Sequence, residues 1–248
     1  MSKPEPLVIA AEPLTEEQRK ALSRFEELLA GAGVERGLIG PREVPRLWER
    51  HLENSAVVAL SPLVPSAATV ADVGSGAGLP GLVWALVRPD IRVTLIESME
   101  RRCAFLREAV EALSLGDQVT VLRARAEDAQ QTLDRLQRSP SVDARPAATA
   151  PAGEGRSAST PAVWDVVTAR AVAPLERLIP LTWPLVGTGG ALLAMKGSKA
   201  AEEIAQAQRT VLRPGALDSG QTECELITVL SPDSSATVVR LVKHPRGV

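Results

Sequence analysis

The chain has 248 residues, 45% of them hydrophobic, which is enough apolar material for one large α/β domain with a small appendage. Its two cysteines follow neither a metal-ligand spacing nor a disulfide framework. No apolar run reaches the roughly eighteen residues of a membrane span, and Met1 to Pro6 lacks a basic segment leading into a signal core, so a cytoplasmic protein without membrane contact is expected. A net charge of −2 gives no overall attraction for nucleic acid. Screening beyond about 8 Å nevertheless makes a local arginine cluster count for more than the total.

Thr15 and Gln18 form a capping box, and Leu22, Phe25, Leu29 and Ala32 follow at helical spacing. Gly31, Gly33, Gly37 and Gly40-Pro41 predict a break, and a second helix is predicted from near Arg42 into Ala59 with Trp48, Leu52 and Ala59 inward. On such a helix Arg42, Arg46 and Arg50 share one face. That stripe is either a nucleic-acid-facing surface or, with Glu49 and Glu53 nearby, an ordinary ion-paired face. Residues 1–66 would form a helical cap and 67–248 the main domain.

From Thr69 onward strands and helices alternate, as in a parallel sheet covered on both faces. Val70 to Val73 is the first predicted strand, and Pro80 suits the first turn of the helix after it, which Pro89 ends. Ile91 to Ile96 follows as a strand, then a helix that Ser98 can cap and in which Cys103 falls in the core with Leu106, Val110 and Leu113. Further strands are predicted at Val119 to Leu122, Trp164 to Thr168 and Gly190 to Met195. Cys224 to Leu230 and Thr237 to Val242 are joined by too few residues for a parallel crossover and must pair as an antiparallel hairpin. Between Arg138 and Ala162 the only large aliphatic residue is Val142, so this stretch reads as a flexible insertion within the domain.

The most informative segment joins the first of these strands to its helix. Gly74, Gly76, Gly78 and Gly81 make a turn where bare backbone lets a ligand approach the main chain, unless the glycines serve chain geometry alone. Leu79 stands where a dinucleotide fingerprint needs a small residue, which weakens a nicotinamide-cofactor reading. Glu97 closes the second strand, twenty-three residues after Gly74, where a carboxylate can accept hydrogen bonds from both ribose hydroxyls. This combination resembles the S-adenosylmethionine site of class I methyltransferases. It implies a Rossmann-like, mostly parallel seven-stranded sheet with an antiparallel C-terminal hairpin.

Leu47 to Ser55, containing Trp48, Arg50, His51 and Asn54, together with Gly78 to Gly81 and Thr168 to Ala171, resembles the small-subunit (16S) ribosomal RNA guanine-N7 methyltransferase family, also called glucose-inhibited division protein B. The resemblance runs from about residue 15 to the end. Gly33 to Pro45 departs from the family's Asn-Leu-Thr signature. The resemblance implies cofactor contacts at Gly74, Gly76, Gly78, Leu79, Ala126, Glu127 and Arg170, with Glu97 on the ribose. His51 and Asn54 belong to a motif without an assigned role; His51 could equally be a hydrogen-bonded packing residue. Arg170 is either the ion-pair partner of a carboxylate or a contact to the methionine carboxylate or an RNA phosphate.

Guanine N7 carries a free lone pair, so the implied reaction needs no general base and no catalytic residue is assigned. His51, Asn54 and Arg170 are the candidates near the target base. The expected partner is 16S ribosomal RNA, with the base in the decoding region of a partly assembled small subunit; no obligate protein partner and no metal are expected. Methylation of a small molecule or protein, a nucleotide-binding oxidoreductase, and a catalytically silent RNA-binding protein are the alternatives.

Overall fold

The computed structural model describes residues 5–138, 163–213, 217 and 222–245. Apart from Arg138, the predicted insertion lies outside them. Among the described residues eight strands form one sheet: β1 (Leu7–Ala10), β2 (Thr69–Val73), β3 (Arg92–Glu97), β4 (Val119–Arg123), β5 (Trp164–Arg170), β6 (Val186–Lys196), β7 (Thr222–Leu230) and β8 (Ser235–Lys243). Their order is β1-β7-β8-β6-β5-β2-β3-β4. Strands β4-β3-β2-β5-β6 are parallel and β8 runs antiparallel to both β6 and β7. This is the class I methyltransferase arrangement, with one strand more than the seven expected. The extra strand, β1, pairs in parallel with β7 at the sheet edge. It is short, Leu7 and Val8 remain exposed and only Ile9 packs partly on the core, so ladder hydrogen bonds supply much of what places it.

The helices are α1 (Glu16–Leu28), α2 (Asn54–Ala59), α3 (Gly81–Val87), α4 (Glu100–Ala112), α5 (Ala129–Arg138), α6 (Leu175–Thr182) and α7 (Ala200–Arg209). The capping box of Thr15 and Gln18 starts α1 as expected. Gly31 and Gly33 do not break the chain there. They sit in a π turn, Leu29–Gly33, and the chain turns away at Gly37, whose φ is +67°. The second predicted helix is a composite: a 3₁₀ segment Pro41–Arg46, a π turn Trp48–Glu53, then α2. Pro45 inside the first segment lacks the N–H that a continuous α-helix would use. Arg42, Arg46 and Arg50 therefore do not share an α-helical face, and Glu53 is buried against Trp48 and Arg19 and does not pair with them.

One core cluster packs Leu22, Phe25, Leu29, Leu47 and Leu52 against Val70, Trp84, Leu95 and Phe105. Full burial of such a side chain contributes about 1.5–3 kcal/mol, which fixes the N-terminal helices to one face of the sheet. A second cluster under α6 and α7 covers the other face around Val167, Leu192 and Val239. Because β2 pairs with β3 on one side and β5 on the other, the chain reverses its direction of travel across the sheet between them. Ligands of open α/β sheets bind at the carboxyl ends of strands flanking such a switch.

Candidate functional site

The glycine turn stands at that switch, after β2. Its main-chain donors are largely turned inward: Gly74 and Ser75 N–H both point to the Ile96 carbonyl at 2.8 and 3.3 Å, and Gly78 and Leu79 N–H to the Ser75 carbonyl at 2.7 and 3.1 Å. A loop with its amides so committed is poorly equipped to cradle a pyrophosphate. Gly78 has φ +93°, and a Cβ there would stand 2.4 Å from Leu82 Cδ1. Gly76, at φ +56°, would meet nothing nearer than the Gly74 carbonyl at 3.8 Å. Gly78 thus serves the packing of α3, while Gly76 keeps its open side for a close approach. Leu79 packs half-buried on the core.

Glu97 is only 3% exposed. Its Oε2 accepts from Gly76 N–H at 3.1 Å, and its Oε1 from Met99 N–H at 2.9 Å. Two longer contacts, Ser98 Oγ to Oε1 and Arg102 Nη1 to Oε2, are each at 3.5 Å. Ser98 was expected to cap α4, but its hydroxyl turns to Glu97, and the N-cap position falls to Met99 without a side-chain cap. Ala124 N–H donates to the Glu97 carbonyl, which brings the turn Ala126–Asp128 beside it, with Ala126 half-buried and Glu127 exposed. Met99 and Val172, both exposed apolar residues, follow the ends of β3 and β5.

Beneath the turn lies Asp72, fully buried. Its Oδ2 accepts from Gly81 N–H at 2.9 Å, and its Oδ1 has no partner among the described residues. Burial pushes its carboxyl up to about 7; the Gly81 N–H and the Ser75 hydroxyl, which donates to the Asp72 carbonyl at 2.8 Å, oppose the rise, nearby Glu97 adds to it and Arg170 opposes it. Asp72 stands two residues before Gly74, but its lone oxygen is not readable from that spacing, because full burial and the partner nine residues on are tertiary facts.

Arg170 closes β5 and pairs with no carboxylate among the described residues. Nη1 donates to the His51 carbonyl at 3.3 Å and to Ser55 Oγ at 3.1 Å; Nη2 donates to the Arg50 carbonyl at 2.7 Å and faces His51 Nδ1 at 2.9 Å. The ion-pair expectation is thereby replaced: Arg170 fastens the N-terminal helices to the strand end. Burial lowers its pKa, with Arg50 adding to the effect. His51 Nε2 lies 3.1 Å from Glu43 Oε2, a partner that sequence spacing did not suggest. Burial, and then Arg170, hold the His51 imidazole below the usual histidine range. Asn54 is placed elsewhere, its Nδ2 donating to the Ser235 carbonyl at the start of β8.

A nucleoside cofactor that needs a carboxylate and a bare main-chain face, but no pyrophosphate donors, fits these residues. The family model described as rRNA small subunit methyltransferase G matches residues 18–138 and 154–225. The ribosomal RNA small subunit methyltransferase G of Frankia alni is 49% identical over 208 residues, covering 84% of this chain and 69% of that one. The corresponding protein of Streptomyces avermitilis is 46% identical over 225 residues, 91% of this chain and 81% of that one. That of Salinispora arenicola is 43% identical over 246 residues, 98% and 91% of the two chains. On the extent of these matches, the chain belongs to the rRNA small subunit methyltransferase G family.

Proposed function

We propose that this protein transfers a methyl group from S-adenosylmethionine to N7 of a guanine in the decoding region of 16S ribosomal RNA. The N-terminal helices would act as a cap over the crevice, without residues 7–10, which belong to the sheet and not to the helical unit of 1–66 expected from the sequence; the substrate is a partly assembled small subunit in the cytoplasm, met without an obligate protein partner. Gly74, Gly76, Gly78, Leu79, Ala126 and Glu127 would hold the cofactor, with Glu97 on the ribose. The two 3.5 Å contacts of Glu97, from Ser98 and Arg102, are the ones a pair of hydroxyls would supplant. When bound, the cofactor supplies a methyl group on a sulfonium, an electrophile that asks only for a lone pair in line.

The state of His51 is the observation that carries the N7 assignment. Guanidinium can only donate, so the 2.9 Å contact to Arg170 engages the Nδ1 lone pair of His51, and Nε2 faces Glu43. An imidazole so engaged is not free to take a proton from an exocyclic amine. N7 needs no proton removed, and positioning alone can contribute on the order of 7–11 kcal/mol. With its charge turned to the cap carbonyls, Arg170 is also kept from opposing a sulfonium. Arg42 and Arg46, exposed and without ion-pair partners among the described residues, would meet RNA phosphates.

Primer extension across the decoding region after mild reduction and aniline cleavage tests the reading. A stop present with the gene, absent on deletion and restored by complementation is expected. A stop that persists in the deletion strain, or a purified enzyme that methylates only proteins or small molecules, overturns it.

A further inference from the structure

We infer that Glu43 and His51 are positioning residues that act through Arg170, locking the N-terminal helices in register with the carboxyl edge of the sheet. The chain of contacts is continuous: Glu43 Oε2 to His51 Nε2 at 3.1 Å, and His51 Nδ1 to Arg170 Nη2 at 2.9 Å. Arginine has no acceptor and stays charged, so Nδ1 must be the unprotonated nitrogen and Nε2 must carry the hydrogen that Glu43 receives. A carboxylate at Glu43 selects the one tautomer in which His51 can accept from Arg170. The arginine's remaining Nη donors go to the Arg50 and His51 carbonyls and to Ser55 Oγ. These acceptors span the π turn Trp48–Glu53 and the first turn of α2, so one guanidinium fixes both to β5.

The position of that lock gives it a role in turnover. Asp72 pairs with Thr168 in the sheet, so Arg170 extends β5 beside the start of the glycine turn. An acceptor seated between the N-terminal helices and that turn is aligned by their separation, and a misplacement of about 1 Å can cost on the order of a hundredfold in rate. Arg50 also approaches Glu43 Oε2, at 3.5 Å, and competes as the explanation of why Glu43 is there. The inference concerns methyl transfer and so rests on the function proposed above, but its structural half can be read without any substrate.

The chain contains only two histidines, His51 and His244, so nitrogen-15 spectra of the imidazoles can be assigned with one variant. The expected spectrum at pH 7.5 shows His51 as a neutral Nε2–H tautomer, and Glu43→Ala should return it to a mixture of tautomers. With small-subunit particles as substrate, Glu43→Ala should lower kcat by about tenfold and leave the Kd of S-adenosylmethionine within twofold of the native value. Glu43→Gln, whose amide oxygen still accepts from Nε2 but which has lost the charge facing Arg50, should restore most of kcat. A His51 tautomer protonated at Nδ1, an unchanged kcat in Glu43→Ala, or equal losses in the Ala and Gln variants would overturn the inference. If the native chain methylates no small-subunit RNA at all, the proposed function fails while the spectra still decide the hydrogen-bond chain.

Discussion

The stability gap between the Asp72→Asn variant and the native protein should widen in favour of the variant as pH rises from 5 to 8. Ordinary aspartate titrates near 3.8, whereas burial raises Asp72 to about 7. Each pKa unit corresponds to about 1.4 kcal/mol, so ionised Asp72 costs the fold about 4 kcal/mol once the folded and unfolded states are both deprotonated. Between those two values the folded protein holds a proton that the unfolded chain has released. Stability therefore falls as pH rises through this window and levels off above about 7. Roughly 2–3 kcal/mol of the change lies between pH 5 and 8. Asparagine keeps an acceptor for the Gly81 N–H and has no charge to bury; its amide nitrogen, placed where Oδ1 has no partner, adds a cost of about 1–3 kcal/mol that does not depend on pH. Urea unfolding of both proteins at pH 5, 6.5 and 8, followed by tryptophan fluorescence at constant m-value, measures the gap. A gap that stays constant, or that closes with rising pH, refutes the reasoning.

Gly78→Ala should lose about 2–4 kcal/mol in urea unfolding, because a left-handed backbone and a clash with Leu82 Cδ1 add. Gly76→Ala should lose only about 1–2 kcal/mol from backbone strain yet bind S-adenosylmethionine at least about tenfold more weakly by calorimetry; a native affinity would mean that the open side of Gly76 does not face the cofactor. Glu97→Ala should weaken cofactor binding by roughly 1–3 kcal/mol and also destabilise the fold, since the Gly76 and Met99 N–H groups lose their acceptor. Removing Arg42 and Arg46 together should flatten the slope of log affinity for ribosomal RNA against log salt by about 1.5 without changing cofactor affinity. An unchanged slope would leave those arginines as solvated surface.

The buried parallel strands were legible because each is a short apolar run with a break at either end. Val70 to Val73 and Ile91 to Ile96 needed no tertiary information, and the short Ser231 to Ser234 link forced β7 and β8 to be antiparallel. Strand β1 was missed although Leu7 to Ala10 is also a short apolar run: it stands alone ahead of the helices, only Ile9 packs partly on the core, and its partner lies more than two hundred residues away. The composite segment from Pro41 to Ala59 was misread for a related reason. Its apolar residues fit an α-helical period well enough, but Pro45 and the π turn shift the faces between Arg42 and Arg50, and periodicity averages over such shifts.

At the site, the glycine turn and Glu97 were legible because the groups that make them lie within one strand-turn-helix-strand unit, whose parallel strands bring the turn and the end of β3 together. Arg170 was found but its partners were not. They lie 115 to 120 residues away, and two of the four are main-chain carbonyls, which leave no mark on sequence. Two features that look anomalous singly explain each other here. A cation at a strand end without a carboxylate and a π turn interrupting a helix meet where the guanidinium donates to the Arg50 and His51 carbonyls. A regular α-helix over the same residues would rotate those acceptors relative to Leu52 and Ser55, and one arginine would then fail to reach both the carbonyls and Ser55 Oγ. On this account a substitution that regularises the turn should act like the loss of Arg170, detaching the N-terminal helices from β5 while the glycine turn and Glu97 stay in place.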